Sequence, residues 1–228
     1  MKNIILILGA FFLIKGLNGQ SFYFGPKGGL GLNIQQWNSF EREPLFTPFG
    51  DLFIESYAED SPSSLYAQLG YHIRGSSLRF VGFGGTSSSS FKFNNLVFVA
   101  GAKRILDMDK KLRPYYIVGV RGEYNLGTNL DDYLDSGSAF YPIDFYVNNF
   151  VYGFTVGGGF DFDIGELYGG FIEFAVNPDV ARQYDQPPIP NVISPFNGRP
   201  INIPAREIRN LSIEVTFGMR FLRKVEYY

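Results

Sequence analysis

The chain contains no cysteine and a single histidine. The first absence rules out a disulfide framework, a thiol nucleophile and a thiolate metal site. The second disfavours a transition-metal site, for which histidine is the commonest protein ligand. Charge is also scarce. Lys, Arg, Asp and Glu make up 18% of the 228 residues and sum to -2, which gives no reason to propose nucleic acid, a partner that wants a clustered basic surface. Hydrophobic runs are short: the longest, Ile4 to Ile14, falls well below the ~20 residues that a membrane-spanning helix needs. The expectation is a protein with no cofactor, no metal and no nucleic-acid partner.

What is abundant is Phe (24), Tyr (15) and Gly (27), a composition that favours β structure over helix or disorder. At the amino end, Lys2 precedes the Ile4 to Ile14 run, and a small, polar stretch follows to Gly19. That order is the one found in secretory signals. Residues 1–19 are therefore expected to be a signal peptide, and residues 20–228 one exported domain. An exported chain without a spanning helix can enter a membrane only as a closed barrel, because nothing else satisfies every backbone group in lipid. The alternative is a soluble exported β protein.

Strand-period alternation recurs along the mature chain. In "YGFTVGGGFDF" the even positions Tyr152, Phe154, Val156, Phe160 and Phe162 are apolar, while the odd ones are glycine, Thr155 and Asp161. "SFYFGPKGGLGLNIQ" sets Phe22, Phe24, Leu30, Leu32 and Ile34 against Lys27 and a row of glycines. "SLYAQLGYHIR" sets Leu65, Leu69, Tyr71 and Ile73 against Gln68, His72 and Arg74. "PYYIVGVRGEYN" sets Tyr116, Val118, Val120 and Tyr124 against Arg121 and Glu123, and "LSIEVTFGMRF" sets Leu211, Ile213, Val215, Phe217 and Met219 against Glu214 and Arg220. The segment after Leu167 carries Glu173 on its polar side. Two further strands are expected at about 94–104, with Lys103, and about 47–57, with Asp51 and Glu55. The total is about eight. Links near 58–63, 106–112 and 164–167 are short, and those near 36–46, 75–90, 126–147 and 178–206 are long. Outer-membrane barrels show that alternation, with the short turns on the periplasmic side.

Alternation alone does not say which face is outside. Three features favour lipid: glycine crowds the polar face, its charges come in balanced signs, and Tyr and Phe cluster near strand ends as an interfacial girdle does. Ten charges share that polar face: Lys27, Glu55, Arg74, Lys103, Arg121, Glu123, Asp161, Glu173, Glu214 and Arg220. Facing lipid near the midplane, they would cost roughly 20 to 40 kcal/mol in total, against a net stability of only ~5 to 15 kcal/mol. In a membrane they must point inward and pair. The expected fold is thus an all-β, closed, antiparallel up-and-down transmembrane barrel, its narrow lumen filled by its own charged side chains.

The segments "KGGLGLN" (27–33), "LYAQLGYHIRGSS" (65–77), "VAGAKRIL" (99–106), "LRPYYIVGVRGEYNLG" (112–127), "YGFTVGGGFDF" (152–162) and "FGMRF" (217–221) resemble the small outer-membrane β-barrel proteins of the Bacteroidota, the PorT-like group. The resemblance implies a location in the outer membrane of a diderm bacterium. It also implies a non-enzymatic scaffold or accessory subunit of an outer-membrane complex, for protein secretion or outer-membrane protein assembly. Partners would be outer-membrane lipid and other outer-membrane or periplasmic proteins. The alternatives are a free-standing barrel whose loops bind a ligand or surface, a lipid-modifying enzyme, and a small channel.

Other motifs favour plainer roles. "GPKGGLG" and "VGGGFDFD" lack the GK[ST] ending and following helix of a phosphate loop, so lumenal packing explains them better. His72 near Ser76 and Ser77 invites a nucleophilic reading, but no carboxylate stands at a convincing spacing, and a satisfied lumenal histidine is favoured. Asp131, Asp132 and Asp135 do not match a defined calcium loop. The stretch "QPPIPNVISPFNGRPINIP" is different. Prolines lower the cost of ordering a segment on binding, and they stand here beside apolar residues. Pro187, Pro188, Ile189, Pro190, Ile193, Phe196 and Ile201 are the candidate partner-docking loop.

Overall fold

The period-two segments all become strands in the computed structural model, which describes residues 21–37, 42–82, 85–136, 142–194 and 198–225. The signal segment expected at 1–19 and Phe196 of the docking loop lie outside the described residues. The strands are β1 (Phe22–Trp37), β2 (Glu43–Ser56), β3 (Ser63–Gly82), β4 (Gly85–Ile105), β5 (Leu112–Thr128), β6 (Phe150–Asp163), β7 (Tyr168–Pro178), β8 (Tyr184–Gln186), β9 (Ile189–Ile193), β10 (Pro200–Ile203) and β11 (Arg206–Arg223). Strands β1 to β7 and β11 pair antiparallel in chain order, and β11 pairs back onto β1 from Phe22↔Arg223 to Trp37↔Ile208. The sheet is closed, so it has no long open edge. No helix among the described residues is long and apolar enough to cross a membrane.

The polarity of the two faces follows the pleat. Outward-pointing Leu30, Phe46, Leu52, Leu65, Val120 and Phe217 are among the most exposed residues, from 59 to 73%. Inward-pointing Asp161, Glu123, Arg74, His72 and Asn95 are at most 2% exposed. A water-soluble barrel would show the reverse pattern. Tyr71, Tyr124, Tyr152 and Tyr168 also stand exposed toward the outside.

Two expected connections are corrected. The stretch 75–90 is not a long loop: β3 and β4 run on as a paired ribbon as far as Gly82↔Gly85, because hydrogen bonding continues wherever both chains stay extended. The stretch 178–206 likewise carries β8, which adds to the outer extension of β11, and the β9/β10 hairpin. The second strand begins earlier than the alternation suggested, at Glu43, with an irregularity between Pro44 and Phe49 that masks its period.

At the outer end, Phe91, Phe93, Leu130, Tyr184 and Ile208 form a cluster with no exposed surface, with Trp37, Tyr133, Tyr146 and Val147 packed against it. Leu130, Tyr133, Tyr146 and Val147 of one long connection and Tyr184 of the other thereby pack onto the barrel at that end. A second apolar cluster sits inside the barrel, made of Tyr66, Val97, Val99, Tyr115, Ile117 and Phe171. Glycine makes room for such side chains. A Cβ on Gly218 would stand 2.2 Å from the Phe171 ring, and one on Gly70 would stand 1.9 Å from Asp51 Oδ1.

Candidate functional site: the ion-paired lumen

Strand parity aims the charges at the axis, and the stagger of the barrel decides which of them meet. In the upper lumen, Arg74 of β3 donates from Nη2 to Glu123 Oε1 of β5 at 2.8 Å and from Nη1 to Glu214 Oε1 of β11 at 2.7 Å. Arg121 approaches Glu123 at 3.0 Å and also pairs with Asp179, just past β7. Asn210 donates to the other Asp179 oxygen at 3.0 Å. Below Arg74 stands His72. Its Nε2 is 2.8 Å from Asp51 Oδ1 and its Nδ1 3.2 Å from Glu214 Oε1, and Phe49 stacks on the ring at 4.6 Å. Asp51, His72, Glu214, Arg74, Glu123, Arg121 and Asp179 therefore form one continuous chain of contacts.

Further toward the short-turn end, Lys27 pairs with Glu173 at 2.8 Å, and Tyr115 donates to the other Glu173 oxygen at 3.1 Å. Lys103 bridges Asp161 at 2.8 Å and Glu55 at 3.1 Å, with its ammonium 4.2 Å from the centre of the Tyr115 ring. Arg220 spans Asp161 at 3.2 Å and Asp163 at 2.6 Å, and Arg113 joins it on Asp163 at 2.6 Å.

The ten charges read from the alternation are thus all buried, and each makes at least one ion pair with a residue of another strand or, for Arg121 with Asp179, with the residue that follows one. Outside that ten the network also uses Asp51, Asp163, Asp179 and Arg113, together with His72, expected from the sequence as a satisfied lumenal histidine and found between two carboxylates. The alternation already puts Asp51 and Asp163 on the polar face, although neither is among the ten. Asp179 lies beyond the end of its strand and carries no periodic signal. The carboxylates on His72 come from β2 and β11, 21 and 142 residues away, which is why no local spacing announced them.

The arrangement is suited to filling space and holding strands together. Ion pairs taken out of water repay their desolvation only when geometry is good and the remaining lone pairs and protons are satisfied, and here most are. It is poorly suited to nucleophilic chemistry. Both nitrogens of His72 face carboxylates, and the Ser76 hydroxyl donates to Gln35 at 2.7 Å. The glycine runs line strands, as expected for packing. Asp131 and Asp132 occupy a short 3-10 turn, Leu130–Ser136, and no group of three or more metal-ligating side chains occurs among the described residues.

The docking-loop residues lie apart from this network, at the outer end. Ile189, Pro190 and Ile193 belong to β9 and Ile201 to β10, while Pro187 and Pro188 lead into the hairpin. Ile193 is 62% exposed.

No protein-family model and no curated protein sequence matches the chain. Solved structures do match it. The outer membrane protein OprG from Pseudomonas aeruginosa is 10% identical with a TM-score of 0.57, over 89% of this chain and 96% of that one. Neisserial surface protein A (NspA) is 12% identical with a TM-score of 0.50, over 88% of this chain and 96% of that one. At these identities the likeness concerns the fold. With apolar side chains outward and ion pairs inward, the chain has the fold and the surface polarity of an outer-membrane β-barrel.

Proposed function

We propose that the protein is a non-conducting, non-enzymatic barrel that serves as a scaffold or accessory subunit of an outer-membrane complex, presenting its outer loops to a protein partner. The observation that carries this reading is the filled lumen. An eight-stranded barrel is just wide enough for its own side chains, and here buried ion pairs and the inner apolar cluster occupy it from Arg220 up to Asp179. A lumen packed in this way leaves the rims and loops as the surfaces on which the proposed role would rest. The β9/β10 hairpin supports docking, since its prolines stiffen a segment that keeps Ile193 in solvent. Protein secretion or outer-membrane protein assembly is the process suggested by the resemblance to the PorT-like barrels.

The test is affinity purification of the tagged protein from its native membranes, with and without residues 187–203. Loss of specific co-purifying outer-membrane proteins on deletion is the expected result. An unchanged profile, or recovery as a lone monomer in mild detergent, refutes docking through this hairpin. Steady single-channel conductance of the intact barrel in a planar bilayer would refute the filled lumen as the basis of the reading.

A further inference from the structure

His72 is the only histidine in the chain, and it lies 2% exposed inside the barrel. Its Nε2 stands 2.8 Å from Asp51 Oδ1 of β2 and its Nδ1 3.2 Å from Glu214 Oε1 of β11. A contact of that length between a ring nitrogen and a carboxylate oxygen needs a hydrogen in it. Without one, a nitrogen lone pair faces a carboxylate oxygen, and burial leaves their repulsion poorly screened. A neutral imidazole carries a single N–H, which serves one carboxylate and turns a lone pair on the other. Both contacts are satisfied together only when the site holds a second proton.

The surroundings say where that proton sits. Glu214 Oε1 also accepts from Arg74 Nη1 of β3 at 2.7 Å, and Arg74 is shared with Glu123 of β5, so the Glu214 carboxylate is bound as an anion. Asp51 stands across from Lys27 of β1 in the register, although the Lys27 ammonium is engaged by Glu173 of β7. The residues paired with His72 in the sheet, Phe49 on β2 and Asn95 on β4, are uncharged. Along the chain of contacts through the ring, Asp51, Glu214, Glu123 and Asp179 are four carboxylates against two guanidiniums, Arg74 and Arg121. A third cation is what this excess requires. The Phe49 ring lies on the imidazole at 4.6 Å and 17°, and an aromatic face attracts a cation.

We propose that His72 is held as the doubly protonated imidazolium and that its second proton is a structural ligand of the barrel. With it, one ring ties β3 both to β2 and to β11, the strand that closes the sheet onto β1. Such a tie responds to pH. An unfolded histidine gives up its second proton above about pH 6.5. Below that value both states hold the proton and the contribution to stability is complete. Above it the folded barrel binds one proton more than the unfolded chain, so stability falls as pH rises, until the folded site also lets go. This role rests on the buried lumen and does not depend on docking at the β9/β10 hairpin.

Because His72 stands alone, nitrogen-15 labelling of histidine in the untagged, full-length barrel in detergent reports on this ring and no other. At about pH 7.5, above the ordinary histidine range, both ring nitrogens are expected to show a directly bonded proton. In reversible urea unfolding from lipid vesicles, the unfolding constant should rise about tenfold per pH unit above about pH 7, the slope of one proton. No other side-chain type in this cysteine-free chain ordinarily titrates between about pH 5 and 8. His72→Gln, which cannot take up the proton, should flatten that slope. A ring with one bare nitrogen, wild-type stability that stays flat from about pH 7 to about 8.5, or the same slope in His72→Gln would each overturn the proposal. The wild-type spectrum and slope decide it even where the variant fails to fold.

Discussion

Replacing Arg74 by methionine separates a dry ionic lumen from a hydrated one. The side chain is 1% exposed and makes hydrogen bonds to both oxygens of Glu123 and to Glu214. Methionine keeps most of the volume and removes the charge. What remains along that contact chain is Asp51, Glu123, Asp179 and Glu214 against only Arg121 and His72. Leaving a buried partner uncompensated costs about 3–5 kcal/mol, whereas losing a solvated pair costs ~0–1 kcal/mol. With m near 2 kcal/mol/M, the larger figure lowers a urea midpoint by roughly 2 M. The assay is reversible urea unfolding from lipid vesicles, followed by far-UV circular dichroism and by the fluorescence of the single tryptophan, Trp37. Adding Glu214→Gln to Arg74→Met removes one stranded carboxylate and should recover a large part of the loss, giving a coupling energy well above ~0.5 kcal/mol. The solvated pair Arg182 and Asp185, at 3.0 Å, is the control, and Arg182→Gln should shift nothing measurable. If Arg74→Met costs no more than that control, water screens the lumen and the filled-barrel reasoning fails.

The remaining predictions concern the other face and the packing. Phe217→Arg, at an outward position 61% exposed, should cost ~2–4 kcal/mol in the same vesicles; a change within ~0.5 kcal/mol, as at a water-exposed surface, would mean that this face does not meet lipid. Gly70→Ala should destabilise by ~1–3 kcal/mol, since its Cβ would lie 1.9 Å from Asp51 Oδ1 and 2.6 Å from the Gly50 carbonyl oxygen; neutral behaviour would show that Asp51 need not pass over Gly70 to meet His72.

Much of this barrel was legible because two facts are local. Side chains alternate along a strand with period two, and each strand of a narrow membrane barrel has one face in lipid, so Leu211 to Met219 or Tyr116 to Tyr124 declares its own orientation. The cost of putting charge in hydrocarbon then determined that Lys27, Arg74 and the other eight point inward. Where the pattern weakened, so did the reading. The irregularity after Pro44 hid the start of β2, and the polar ribbon 78–90 resembled a loop because above the membrane neither face need be greasy.

The sequence alone determined a β chain with a greasy face, an ionic face and short turns at one end, because periodicity and transfer energies act residue by residue. Only the tertiary structure decided that His72 lies between Asp51 and Glu214, that Arg74 holds Glu123 and Glu214, and that an apolar cluster around Phe91 and Tyr184 packs at one end. Those pairings depend on the closure of β1 on β11 and on the stagger between strands. They join residues up to 142 positions apart, and no local pattern encodes that distance.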